Sequence, residues 1–115
     1  MIETQIETEI PVDRDEVIVR PRGELDVFGS WCLVEAVEDA VRPDVRCVVV
    51  DLRDLTLCDS SGVSALVRAA HLCHALGIDL RVEGATGIVQ RVLEWSRLDE
   101  ALALEAIAQG AGVRP

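Results

Sequence analysis

The strongest pattern of apolar and polar positions runs from Val45 to Leu76. The segment Val45-Arg46-Cys47-Val48-Val49-Val50-Asp51-Leu52 is rich in valine, which favours extended backbone. Its apolar residues do not alternate with polar ones, so it predicts a strand buried on both faces. Asp59-Ser60-Ser61-Gly62 comes next, and then a helical pattern. Val63, Leu66, Ala69, Ala70, Cys73 and Leu76 recur at three- and four-residue spacing, with Ser64, Arg68, His71 and Ala75 on another face. A buried strand therefore passes through a short loop into an amphipathic helix that Gly77 ends.

The flanking segments give weaker patterns. Residues 3 to 10 alternate Thr4, Ile6, Thr8 and Ile10 with Glu7 and Glu9, which predicts an edge strand. Pro11 to Asp15 is turn-like, and Glu16 to Arg20 reads as a second strand. Pro21 is expected to interrupt that strand, placing its far end at an edge or bulge. Gly23-Glu24-Leu25-Asp26 leads through Phe28-Gly29-Ser30 into a helix predicted over Ser30 to Arg42. Leu33, Ala36, Val37, Ala40 and Val41 form its apolar face, and Pro43 closes it. Ile78, Leu80 and Val82 alternate with Asp79 and Arg81 as a half-buried strand. Gly84 to Gly87 is a tight turn into a third helix that buries Ile88, Val89, Val92 and Leu93. Trp95 to Asp99 reads as a connector, Ala101 to Leu104 as a short edge strand and Leu104 to Gln109 as a last partial helix. The tail from Gly110 is expected to fray. The order β-β-α-β-α-β-α, with that extra strand and helix, predicts one α/β domain over residues 1–115, ordered over about 3–109. Its sheet has four to five mostly parallel strands and an antiparallel N-terminal strand, packed with helices.

The candidate chemistry sits where the central strand meets its helix, as is usual for such sheets. A helix start carries unpaired N–H groups and partial positive charge. Asp59, Ser60 and Ser61 all suit that position, and capping alone accounts for residues of this type. The sharper reading is that one hydroxyl faces solvent and is phosphorylated or binds an anion, a phosphate adding about −1.5 to −2 charge.

Composition narrows the function classes. The 115 residues are 50% apolar, enough to fold, and carry a net charge of −10. That charge argues against binding nucleic acid or an anionic membrane, and fits a partner with a basic surface. Every basic residue is arginine, which excludes a lysine phosphate loop and Schiff-base chemistry. The only aromatics are Phe28, Trp31 and Trp95, so the core is expected to be aliphatic. No secretory signal or membrane-length apolar run is visible. Cys32, Cys47, Cys58 and Cys73 form no C-x-x-C pair and read as reduced cytosolic thiols, Cys47 and Cys73 as core filler. His71 and His74 lie three apart on one helix, but no acid at helical spacing supplies a third ligand, so no metal is expected. Hydrolysis is also disfavoured. The G-x-S-x-G form is missing, and both histidines lie on later turns of the serines' own helix.

The segment Val48 to Asp51, then Asp59-Ser60-Ser61-Gly62-Val63, resembles the STAS domain of anti-sigma factor antagonists. So does the upstream Gly23-Glu24-Leu25-Asp26 followed by a helix. The two motifs stand in the family's order, and the resemblance covers nearly the whole chain. It implies a regulatory binding protein rather than an enzyme, cytoplasmic and without cofactor, acting in transcription regulation such as stress response or sporulation. The unmodified domain would bind an anti-sigma factor serine kinase that carries the ATP, and so free a sigma factor. Phosphorylation would end binding, and a phosphatase would restore it. Ser61 is the expected acceptor, with Ser60 as the alternative. Asp59, Ser60, Gly62 and Ser64 shape the partner surface, and Asp26 lines it; read from the residues alone, Asp26 is a loop acid or helix cap. The other reading implied by the fold is an unphosphorylated scaffold module of a lipid-transport or other ATPase complex. Cys58 departs from the larger apolar residue common in the family. Trp31 and Cys32 read either as partner-specific or as packing.

Overall fold

The computed structural model describes residues 5–10 and 15–95. The elements are β1 (Gln5–Glu9), β2 (Glu16–Leu25), α1 (Val27–Ala40), β3 (Cys47–Asp51), β4 (Leu55–Cys58), α2 (Ser60–Ala75), β5 (Asp79–Glu83) and α3 (Gly87–Trp95). The five strands form one mixed sheet. Its order is β1-β2-β3-β5, with β4 joined to the other half of β2. β1 runs antiparallel to β2, and the remaining pairings are parallel. This is the expected α/β architecture.

Three expectations about the bounds and number of the elements need correction. β2 does not stop at Pro21 but continues to Leu25. Its pairing with β3 ends at Val19 and its pairing with β4 begins at Gly23. Pro21 falls between them, where no parallel neighbour requires its missing N–H. The register slips between Gly23 and Glu24, which absorbs the change of partner. Second, the loop expected between the central strand and α2 contains a strand, β4. Third, α1 begins at Val27 rather than Ser30, because Asp26 supplies the cap.

The core lies between the sheet and helices α1 and α2. Val17, Val19, Val48, Val50 and Val82 point to this side, against Leu33 and Val37 of α1 and Leu66, Ala69 and Cys73 of α2. Fully burying each leucine or valine contributes about 1.5–3 kcal/mol. Leu76 and Ile88, expected inside, are exposed, whereas Val89 and Leu93 are buried as expected. Gly77 ends α2 as expected, at φ +70. Its N–H donates to the His74 carbonyl at 3.1 Å, and that of Ile78 to the Cys73 carbonyl at 2.8 Å. This is the paired closure that a left-handed glycine allows.

The other face of the sheet is held by charge. Asp51, almost fully buried, accepts from Arg20 Nε at 3.0 Å and from the Arg53 backbone N–H at 3.1 Å. Arg53 Nε lies 2.7 Å from the same carboxylate, and Arg20 continues to Glu9 at 3.6 Å. The hydrogen bond to Asp51 raises the Arg20 pKa above its ordinary value. Gly84 closes over this network at φ +79, where an added Cβ would stand 2.6 Å from Asp51 Oδ1. β3 is therefore buried on both faces as its sequence predicts, and its second face carries buried Val49 beside the buried carboxylate of Asp51. The strand and helix expected over 101–109, the connector after Trp95 and most of the turn at 11–15 lie outside the described residues.

Candidate functional site

The site grows from two neighbouring strand ends. β2 and β4 are parallel and in register at Leu25 and Cys58. The next residue in each strand, Asp26 and Asp59, caps a helix. The two caps adopt nearly the same backbone, φ −97 and ψ −165 at Asp26 against φ −100 and ψ −171 at Asp59. Asp26 Oδ1 accepts from the Gly29 N–H at 2.9 Å. Asp59 Oδ1 accepts from the N–H groups of Ser61 at 2.8 Å and Gly62 at 3.2 Å. Asp59 N–H in turn donates to the Leu25 carbonyl at 3.3 Å, which ties the second cap to the first strand.

Gly62 makes the close approach possible. A Cβ there would stand 2.7 Å from Cys58 Sγ and 2.8 Å from the Leu25 carbonyl oxygen. Only a glycine lets the first turn of α2 lie this close to β2 and β4. Cys58 fills the space beneath, and burial pushes its thiol up to about 11. The small thiol at this position suits the tight contact.

The two hydroxyls differ. Ser60 is exposed at the first helical position. Ser61 is half-buried and lines a groove of about 570 Å³ between α1 and α2. Among the described residues neither hydroxyl has a hydrogen-bond partner. By contrast Ser30 Oγ, in the first turn of α1, turns inward and donates to the Asp26 carbonyl at 2.6 Å. Ser64, one turn beyond Ser61, faces the same groove. The structure thus brings Asp26, Asp59, Ser60, Ser61 and Gly62 to one end of the domain, with Ser64 next to them. His71 and His74 are exposed farther along α2, and no group of three metal-type side chains occurs among the described residues.

Of the opposite wall, sequence reasoning singled out only Trp31, as either partner-specific or packing, and its exposure rules out packing. Val27 and Trp31 of α1, 63% and 72% exposed, line the groove with Ser61, and Phe28 between them in sequence is 65% exposed. Glu35 and Glu38 continue this wall, facing Arg68 across the groove. A signal was present: two of three aromatics fall within one helical turn, off the apolar face. No helix among the described residues is long and apolar enough to cross a membrane.

The mixed sheet, the capped α2 and the motif at its start define a class, and sequence comparison agrees. The STAS domain family matches residues 4–109, and the chain belongs to that family. An anti-sigma factor antagonist from Mycobacterium paratuberculosis superposes with a TM-score of 0.72 at 18% identity, over 98% of this chain and 86% of that one. The Bacillus cell fate determinant SpoIIAA in its phosphorylated form gives 0.64 at 22% identity, over 82% and 85%. A sulfate transporter family protein from Wolinella succinogenes gives 0.68 at 22% identity, over 84% and 77%. Among curated proteins no sequence match was found.

Proposed function

We propose that this STAS domain is an anti-sigma factor antagonist, a binding module of the cytoplasm and not an enzyme. Unmodified, it binds an anti-sigma factor serine kinase and displaces a sigma factor. The kinase, using its own ATP, then phosphorylates Ser61, with Ser60 as the alternative acceptor, and the complex separates. A phosphatase returns the domain to its binding form. Neither nucleic acid nor membrane is touched directly. The observation that carries this reading is the unengaged Ser61 hydroxyl in the first turn of α2, between the Asp59 cap and the groove.

The physics of the switch follows from the cap. A neutral hydroxyl is cheap to bury at an interface when it finds one partner. A phosphate on Ser61 would carry about −1.5 to −2 charge. The nearest backbone donors, the N–H groups of Ser61 and Gly62, are already taken by Asp59. With these two donors engaged, the new charge adds to those of Asp59 and Asp26 at the docking surface. Repulsion and desolvation worth about 3 kcal/mol lower affinity by roughly a hundredfold, without refolding.

The test is to incubate the domain with ATP and each anti-sigma factor kinase of the source organism, and to map the phosphate. One kinase is expected to add one phosphate to Ser61, and Ser61→Ala to bind it without being switched off. Unchanged phosphorylation of Ser61→Ala moves the acceptor to Ser60 or elsewhere. The second reading, an unphosphorylated scaffold module of a lipid-transport or other ATPase complex, rests on the shared STAS fold. There the serines only start α2, and no kinase of the organism would modify either.

A further inference from the structure

Burial of aromatic side chains is normally a large stabilising term, yet none of the three aromatics in this chain is used for it. Trp95 ends α3. Phe28 and Trp31 stand exposed on the first turns of α1, and Trp31 lines the groove together with Val27 and Ser61. Exposed tryptophan of this kind is the residue type that dominates binding energy at protein interfaces. The groove beside it has walls of opposite character. Glu35 and Glu38 stand on the α1 wall and Arg68 on the α2 wall. None of the three takes an ion pair with another described residue. Something set between the walls would meet carboxylates on one side and a guanidinium on the other.

That pattern selects the occupant. A nucleotide or other phosphorylated ligand is disfavoured, because two carboxylates line the groove against one arginine and the chain carries a net charge of −10. A second copy of this chain would bring the same acidic excess to its own acidic wall. A helix with an apolar stripe, basic residues along one edge and an acid on the other matches the groove in shape and in charge.

We infer that the α1–α2 groove is the specificity surface for the kinase, receiving an amphipathic helix of the anti-sigma factor with Val27 and Trp31 as its apolar anchors, Glu35 and Glu38 facing its basic edge and Arg68 its acid. This rests on the proposed function, and it goes further in assigning the choice of partner to residues outside the serine motif. Ser61 decides whether binding occurs, and the α1 wall decides with whom.

The test uses the full chain and the kinase that phosphorylates Ser61. Binding is titrated for wild type, Trp31→Ala, the pair Glu35→Arg with Glu38→Arg, and Ser61→Asp. Trp31→Ala is expected to weaken binding about thirtyfold. The charge-reversed pair is expected to weaken it about tenfold, with most of the loss in association rate and a weaker dependence on salt. In a Trp95→Phe background, Trp31 emission shifts to the blue on complex formation. If Ser61→Asp abolishes binding while Trp31→Ala and the charge-reversed pair stay within twofold of wild type, the groove is not the specificity surface, and the phosphoswitch stands. If the free domain self-associates and both groove variants abolish this, the occupant is a second copy and the inference fails. If no kinase binds the wild-type domain, both readings fall. Circular dichroism and thermal midpoints matching wild type keep a loss of binding from being mistaken for a loss of fold.

Discussion

The first turns of α1 and α2 are built on one plan and differ in what they offer a partner. Each follows one of two paired parallel strands, each is capped by an aspartate in almost the same conformation, and each reads Asp-x-x-Gly. The variable positions are Val27 and Phe28 in one and Ser60 and Ser61 in the other. One turn exposes two apolar side chains, and the other holds two hydroxyls. The shared scaffold fixes where both stand, and under the proposed function two side chains in each would decide between grip and switch.

The largest expected effect breaks the comparison at the switch. Ser61→Asp should weaken kinase binding by up to a hundredfold, while Phe28→Asp, an equal charge on the other turn, should leave the phosphoacceptor competent when the kinase is in excess. Titration by calorimetry and phosphate mapping separate the two. Next comes the tight glycine. Gly62→Ala drives a Cβ into Cys58 Sγ and the Leu25 carbonyl, so a loss of about 1–3 kcal/mol is expected in urea unfolding. Combining it with Cys58→Ala should recover only part, because the carbonyl contact remains.

Removing the caps tests the sameness of the plan. Asp26→Ala and Asp59→Ala should each cost about 1 kcal/mol, and the asparagine variants much less. Unequal losses would show that the two turns are not equivalent in stability. The smallest effect is absent at neutral pH. Cys58 supports α2 from beneath with its thiol pushed up to about 11, and burial pushes Cys73 up to about 12. Both native values lie above the unfolded one, so the stability held by the neutral thiols is complete below about pH 8.5. It is lost as pH rises towards the native values. Urea midpoints should be flat up to about pH 8.5, the ordinary thiol pKa, and then fall. At pH 8, iodoacetamide should label half-buried Cys32 of α1 before Cys58 and Cys73.

How far the sequence carried these conclusions depended on whether the signal was local. The valine run and the α2 pattern are long and strongly periodic, so the buried strand and its helix were legible, as was the left-handed Gly77. β4 was hidden because it has four residues and two of them, Thr56 and Leu57, are exposed. The full length of β2 was hidden by Pro21, whose usual strand-breaking effect is lost where the strand changes neighbours. The start of α1 was hidden because Val27 and Phe28 point to solvent, against the rule that apolar residues mark the buried face. The motif residues stood out as small polar groups at a strand–helix junction. The groove did not, because Glu35 and Arg68 are brought together only by helix packing, and nothing near either residue in sequence announces the other.

One measurement reaches the central claim most directly: the affinity of the phosphorylating kinase for the unmodified domain and for the same domain carrying phosphate on Ser61 alone. About a hundredfold weaker binding of the phosphorylated form, with unchanged circular dichroism, is the expected result. Equal affinities would contradict it, because a charge placed beside Asp59 would then have no bearing on whether the two proteins dock.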